Sequence, residues 1–219
     1  MKIIVPGSFR LKLRQLQKMI MYSARRQLFR VPLLLNKQIN IIVGAAMTSQ
    51  RSWYSTNQQW LDITSKSDWE KVFSGRKLIV NVLAEHVFEH LTYEQAKIAL
   101  NFIKIHMCSG GNIRIAVPDG YHPDEIYLAH VGIAGIGPDA EDHKQLFNCD
   151  SLMVLLGEAG FVPELKEGYT SDGKLVRKFL DPKQGCVNRS RGNKKNMQEC
   201  SAWEFIDANT SLVVDGLLN

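Results

Sequence analysis

A chain of 219 residues, 45% hydrophobic and 22% charged, has the size and composition of one domain around one substantial core. No apolar run approaches the roughly 20 residues of a membrane span, and the four cysteines (Cys108, Cys149, Cys186, Cys200) form no CxxC pair, which argues against a disulfide framework and fits reduced thiols in a cytoplasmic protein. The net charge of +5 is unevenly spread: residues 1–61 hold ten Lys or Arg and no Asp or Glu, which points to an anionic partner for the N-terminus or to a targeting segment.

Residues 1–37 read as a basic amphipathic helix and linker. Leu13, Leu16, Ile20, Ala24 and Leu28 recur at helical spacing, with Arg10, Arg14, Lys18 and Arg25 on another face and Pro32 closing the segment. The leucine stripe is expected to pack on the domain. Residues 39–44, INIIVG, predict a short apolar strand ending in glycine. A second strand is expected around Trp60–Ile63, then a short helix from Ser65 to Phe73 with Ser67 as N-cap and Glu70 completing a capping box.

The run Leu78–Leu83 ends abruptly in Ala84-Glu85-His86. Ala96, Ala99, Leu100, Ile103 and Met107 then follow at three- and four-residue steps, and Gly110-Gly111 is expected to stop that helix. A second buried strand, Ile113–Val117, ends in Pro118-Asp119-Gly120. Strand, helix, glycine turn and strand make a parallel βαβ unit, and such sheets place ligands beyond the carboxyl ends of their strands. Those ends carry Glu85, His86 and Asp119. Polar residues also gather at Tyr121, His122, Asp124 and Asp142-His143-Lys144, where Asp142 is a candidate cap for the next helix, expected over Asp150–Ala159. Residues 181–200 read as a long exposed loop, and Leu212-Val213-Val214 as a last strand.

The strand tip with VFEHL, the helix after it, the SGGNIRIAVPDG turn and strand, and the later EAGF helix end resemble the second half of class I methyltransferases that use S-adenosylmethionine. The resemblance covers roughly residues 38 to 170, with a closing strand at 211–217. It implies an α/β, doubly wound, mostly parallel seven-stranded-type sheet, a methyltransferase-like Rossmann fold, over residues 38–219 with a loop-rich insertion at about 171–210. It also implies S-adenosylmethionine as cofactor. Carried residue by residue, Gly44, Ala45 and Ala46 stand at the cofactor loop, Asn57 or Asp62 at the ribose or adenine, and Leu83 and Ala84 at the cleft.

Glu85, His86, Asp119, His122 and His143 are the candidate catalytic residues. Methyl transfer from a sulfonium needs alignment of the acceptor, and a base only if an alcohol or amine must lose a proton. Histidine titrates in the right range. No NPPY-type tetrad is present, so exocyclic base amines are disfavoured as acceptors, and small metabolites, sugars and proteins stay open. The family's glycine-rich loop is reduced here to Gly44-Ala45-Ala46, which favours a rival reading as a catalytically reduced binding or scaffold module. A third reading, an RNA-associated protein, rests on the basic N-terminus. His86-Val87-Phe88-Glu89-His90 matches an inverted zinc-protease motif, HxxEH. No metal is expected, because the motif starts at a strand tip and no third ligand stands at a known spacing.

Overall fold

A computed structural model of the chain describes residues 7–46, 48–137, 140–191 and 210–219, with side chains from residue 15 onward. Seven strands form one sheet: β1 (Ile39–Val43), β2 (Trp53–Ser55), β3 (Ile79–Glu85), β4 (Met107–Pro118), β5 (Val162–Tyr169), β6 (Leu175–Arg177) and β7 (Ser211–Leu217). Their order is β2-β1-β3-β4-β7-β5-β6. The β1–β2, β1–β3 and β3–β4 pairs are parallel, and β7 runs antiparallel between β4 and β5. Five of the seven strands therefore point one way. From β1 the chain winds outward to β2, then returns past β1 to β3 and β4. This is the doubly wound, mostly parallel sheet that the resemblance implies, and its switch point lies between β1 and β3.

Strand alternation sorts the core into two faces. Ile41, Val43, Val82, Ala84, Ile113, Ile115, Val117, Leu212 and Val214 share one apolar cluster with the helices α2 (Lys66–Phe73), α3 (Tyr93–His106) and α5 (Cys149–Glu158). Helix α3 contributes Ala96, Ala99, Leu100 and Ile103, four of the five positions its spacing predicts; the fifth, Met107, begins β4 instead. Its N-terminus is closed by a Thr92–Gln95 capping box, and that of α5 by an Asn148–Ser151 box. Ile42, Leu83, Ala116 and Val213 face the other way and pack with Val187.

That second face is covered by residues 181–191, where a long exposed loop is expected. Val187 and Ser190 are buried there, and the segment lies flat as a strap. Its anchor is Arg114. The guanidinium makes two hydrogen bonds to Asp215, at 2.7 and 2.8 Å, across the paired positions of β4 and β7. It also donates to the carbonyls of Asp181 and Gly185 and to Gln184 Oε1. A charge with every donor occupied can stay buried, and Arg114 is 0% exposed.

Helix α1 (Gly7–Leu34) corrects the expected packing. Leu16, Ile20 and Leu28 are 52%, 62% and 64% exposed, and the Leu13 side chain lies outside the described residues. Phe29 and Leu33 are buried instead. Phe29 meets Tyr54, Trp60 and Phe73 edge-on at 5.0–6.1 Å, so an aromatic cluster rather than the leucine stripe holds the C-terminal part of α1 on the domain. Pro32 sits inside the last turn of α1 rather than ending it.

Three local expectations also shift. No strand forms at 60–63, because Asp62 Oδ1 accepts from the Thr64 amide and hydroxyl and folds a turn; β2 is Trp53–Ser55 instead. The N-cap of α2 is Ser65, and Ser67 lies within its first turn. Gly110 and Gly111 fall inside β4, since Met107 already pairs with Ile79. Residues 192–209, which include much of the expected insertion, lie outside the described residues. Among the described residues, no helix is long and apolar enough to cross a membrane.

Asp215→Ala strands the Arg114 charge in the core. It should lower the unfolding free energy by about 3–5 kcal/mol, measured by urea denaturation, and expose residues 181–191 to limited proteolysis. A loss below about 1 kcal/mol would mean that the pair does not anchor the strap.

Candidate functional site

At the switch point, the chain leaves β1 through Gly44, whose φ is +57°. A Cβ added there would lie 2.6 Å from Val87 Cγ2, so the position demands glycine twice, for its dihedral and for its space. The Ala45 amide donates to the Thr56 carbonyl at 2.8 Å, and the Ala46 carbonyl accepts from Arg25 of α1 at 2.9 Å. The turn is therefore tied to β2 on one side and to α1 on the other.

Strand β3 ends at Glu85, and His86 follows with φ +54°, a left-handed conformation that a residue with a side chain adopts at a cost. Its amide donates to the Ala116 carbonyl at 2.8 Å. The ring reaches three groups: Ser211 Oγ 3.3 Å from Nε2, and Arg189 Nη1 and Glu89 Oε1 3.2 and 2.9 Å from Nδ1. Glu85 accepts from the Asn188 side chain at 3.0 Å and the Arg189 amide at 2.8 Å, so the strap is clamped over the tip of β3.

A single 3-10 turn, Phe88–His90, then directs Phe88 and Glu89 inward, and both are 0% exposed. The Glu89 carbonyl accepts from the Lys144 and Gln145 amides, at 2.8 and 3.2 Å, which brings the 140–145 segment alongside. There, Asp142 Oδ1 lies 2.8 Å from His90 Nδ1, and the rings of His90 and His143 meet edge-on at 4.8 Å. Asp142 thus faces His90, and the following helix is capped by Asn148 instead. His143 Nδ1 lies 2.8 Å from the Val131 carbonyl. A carbonyl only accepts, so Nδ1 carries a proton there.

Burial works to raise the Glu89 carboxyl. The charge of His86 beside it, with a smaller contribution from His90, outweighs that and holds it below the usual range. The carboxylate is nevertheless poorly hydrogen-bonded. His86 Nδ1 is within reach of Oε1 but off the direction a hydrogen bond requires, and neither Glu89 oxygen has a well-directed donor.

These groups line a cavity of two lobes that share Gly44, Ala46, His86, His90 and Asp142. One lobe, about 600 Å³, runs over Asn57, Leu61, Asp62, Ile63, Val87 and Leu91. The other, about 510 Å³, is walled by Ala45, Glu85, Glu89, His143 and Arg189. In the first lobe, Asp62 has one oxygen taken by Thr64 and the other 3.4 Å from Gln58 Nε2. Burial works to raise its carboxyl, but these hydrogen bonds prevail and lower it.

Of the candidate residues, Gly44, Ala45, Ala46, Asn57, Asp62, Glu85, His86 and His143 line this cavity. Leu83 and Ala84 do not; both are 0% exposed core residues. Asp119 is also 0% exposed and accepts from the Tyr121 and Tyr169 amides. His122 packs against Tyr127 and Tyr169, with ring centroids 4.3 and 5.3 Å away. The structure places these two beside β5, away from the cavity walls. Asn188 and Arg189 are lining residues that the sequence reading leaves out, and Glu89 enters that reading only within the HxxEH motif, not as a candidate site residue.

No family model matches the chain, and no curated protein sequence does. Solved structures resemble it at low identity. A SAM-dependent methyltransferase from Archaeoglobus fulgidus is 11% identical with a TM-score of 0.48, over 91% of this chain and 94% of that one. An O-methyltransferase family protein from Burkholderia thailandensis is 8% identical at a TM-score of 0.47; 94% of this chain aligns with 59% of that one. The 1,6-didemethyltoxoflavin-N1-methyltransferase of the same organism, solved with S-adenosylhomocysteine, is 11% identical at a TM-score of 0.43, over 100% and 92% of the two chains.

Gly44→Ala should destabilise the protein by about 1–3 kcal/mol in chemical denaturation. Gly75→Ala, with φ +74° but nothing within 4 Å of the added Cβ, should cost less. Combining Gly44→Ala with Val87→Ala should recover part of the loss. Equal costs at both glycines would show that contact with Val87 is unimportant.

Proposed function

We propose that this chain is an S-adenosylmethionine-dependent methyltransferase acting on an acceptor with an ionisable hydroxyl or amine. The observation that carries this reading is the two-lobed cavity, whose halves meet at the switch point between the β1 turn and the β3 tip. A cofactor and an acceptor in adjoining lobes would have their reacting atoms at that junction.

The first lobe fits the cofactor chemically. Asp62 and Asn57 offer a carboxylate and an amide for ribose hydroxyls, and Leu61, Ile63, Val87 and Leu91 give apolar walls for a purine. The Gly44–Ala46 turn leaves little side chain at the junction, where the amino-acid end would pass. When bound, S-adenosylmethionine supplies a methyl group on an activated sulfonium. The protein's part is then to align the acceptor, exclude water and receive a proton. His86 stands in both lobes, with its ring oriented by Ser211 and Arg189. It is the residue proposed to take the acceptor's proton, on Nδ1, once the acceptor displaces Arg189, which can only donate to that nitrogen. Glu85 holds the strap that closes the acceptor lobe. His143 lines that lobe, while Asp119 and His122 support the β5 side and are not proposed to touch the acceptor.

The alanines following Gly44 favour a second reading, a catalytically reduced relative that serves as a binding or scaffold module. Lys18, Arg26 and Arg30 occupy exposed positions on α1, which supports an anionic partner for that helix.

Calorimetry with S-adenosylmethionine and S-adenosylhomocysteine tests the cofactor assignment. Wild type should bind both, and Asp62→Asn should bind about tenfold or more weakly, the loss of a charge-assisted hydrogen bond. No binding by folded wild type would rule the reading out. Binding without methyl transfer to any of a panel of hydroxyl, amine and protein acceptors would favour the non-catalytic relative.

A further inference from the structure

We propose that Glu89, His90 and His143 form a binding site for a divalent transition-metal ion of the zinc class, at the junction of the two lobes. Each presents one ligand atom, and the three atoms lie within 4.8 Å of one another. Bonds of about 2.0–2.2 Å to tetrahedral zinc set donors about 3.4 Å apart. The three therefore need to draw in by roughly 1.4 Å at most.

Three independent features point to an ion rather than to a chance cluster. First, Glu89 is fully buried, and its ion-pair partner, His86 Nδ1 at 2.9 Å from Oε1, lies off the direction of a hydrogen bond, so neither carboxylate oxygen has a well-directed donor. Buried carboxylates are ordinarily satisfied by donors or by a metal. Second, His143 is held from behind: its Nδ1 donates to the Val131 carbonyl, while His90 Nδ1 lies 2.8 Å from Asp142 Oδ1 without a well-directed hydrogen bond. A carbonyl or carboxylate behind the ring is the usual support of a metal-ligating histidine, since it fixes the tautomer and turns the other nitrogen's lone pair outward. Third, all three residues line the cavity, so a fourth position is open to water or ligand, as in His2Glu zinc sites. Two imidazoles and one carboxylate favour zinc over magnesium or calcium, which take oxygen-only sets.

The expectation of no metal rested on the HxxEH motif starting at a strand tip and on the lack of a third ligand at a known spacing. His86 does turn with φ +54° at the end of β3, but His143 supplies the third donor from a distant loop. The ligand set is therefore not the one the motif specifies. The proposal does not depend on the methyl-transfer reading.

The test uses the full chain without a polyhistidine tag, stripped with a chelator and titrated with ZnCl2 by calorimetry, with CoCl2 as a spectroscopic probe. The expected result is one ion per chain, with visible cobalt bands and no thiolate charge-transfer band. Glu89→Gln keeps the shape of the side chain, and His143→Asn keeps a donor for the Val131 carbonyl while removing Nε2. Each should weaken zinc binding about 100-fold or more, with an unchanged circular dichroism spectrum. Cys186→Ser should bind as wild type does. Absence of stoichiometric zinc from folded wild type, or wild-type affinity in any correctly folded ligand variant, would overturn the site. His90→Asn replaces any variant that fails to fold. Zinc binding without S-adenosylhomocysteine binding would remove the methyltransferase reading and leave this one standing; the reverse result would do the opposite.

Discussion

The arrangement of this site depends on one buried ion pair. Arg114 and Asp215 face each other across β4 and β7, on the sheet face that carries only a small apolar cluster. That cluster is Ile42, Ala45, Leu83, Ala116, Val187 and Val213, much less apolar surface than the helix-covered face buries. Apolar burial alone would hold the 181–191 segment weakly. Arg114 compensates by offering donors to Asp181, Gln184 and Gly185 while Asp215 neutralises its charge. The strap is thus fastened by directional bonds at one end.

Its other end makes the cavity wall. Beyond Gly185, Asn188 and Arg189 clamp Glu85, and Ser190 and Arg191 bind the carboxylate of Glu167 on β5 at 2.8 Å each. Arg191 also lies 3.6 Å from Asp119. Burial raises the Asp119 carboxyl, and hydrogen bonds from Tyr169 and Tyr121 and the charge of Arg191 only partly offset that. Asp119 and Glu167 are therefore structural acids that hold strap to sheet. Their role explains why an acid at the end of a central strand does not reach the cavity.

Around the junction, polar groups are crowded and incompletely satisfied. His86 is held in a left-handed conformation, Gly44 abuts Val87, and Glu89 sits buried without directed donors. Such features cost stability and persist where the surrounding structure over-determines them. Here that support is the β3–β4 pairing beneath and the Lys144 and Gln145 amides alongside. Strain and an under-bonded anion at one spot, with two cavity lobes opening on it, mark the junction as the place where a ligand completes the structure.

Local pattern was enough for the elements whose cause is local. Buried runs made β3, β4 and β7 legible, three- and four-residue spacing made α3 legible, and the βαβ unit put Glu85 and His86 at a ligand-facing edge. Nearest-neighbour chemistry misled where two local rules competed, as at Asp62, where a turn replaced a strand, and at Ser65, which capped in place of Ser67. The leucine stripe of α1 was a sound helical signal, but which face of a helix is buried depends on what it meets, and α1 met an aromatic cluster with Phe29. The site itself lay beyond sequence for the same reason. His143 approaches Glu89 and His90 because the 140–145 backbone bonds to the Glu89 carbonyl, and Arg189 approaches His86 because Arg114 pins a strap far along the chain. The sequence alone determined which segments could form strands and helices, since their periodicity is a property of the chain. Tertiary structure decided which polar residues share a cavity, since that rests on bonds between residues the order of the chain does not relate.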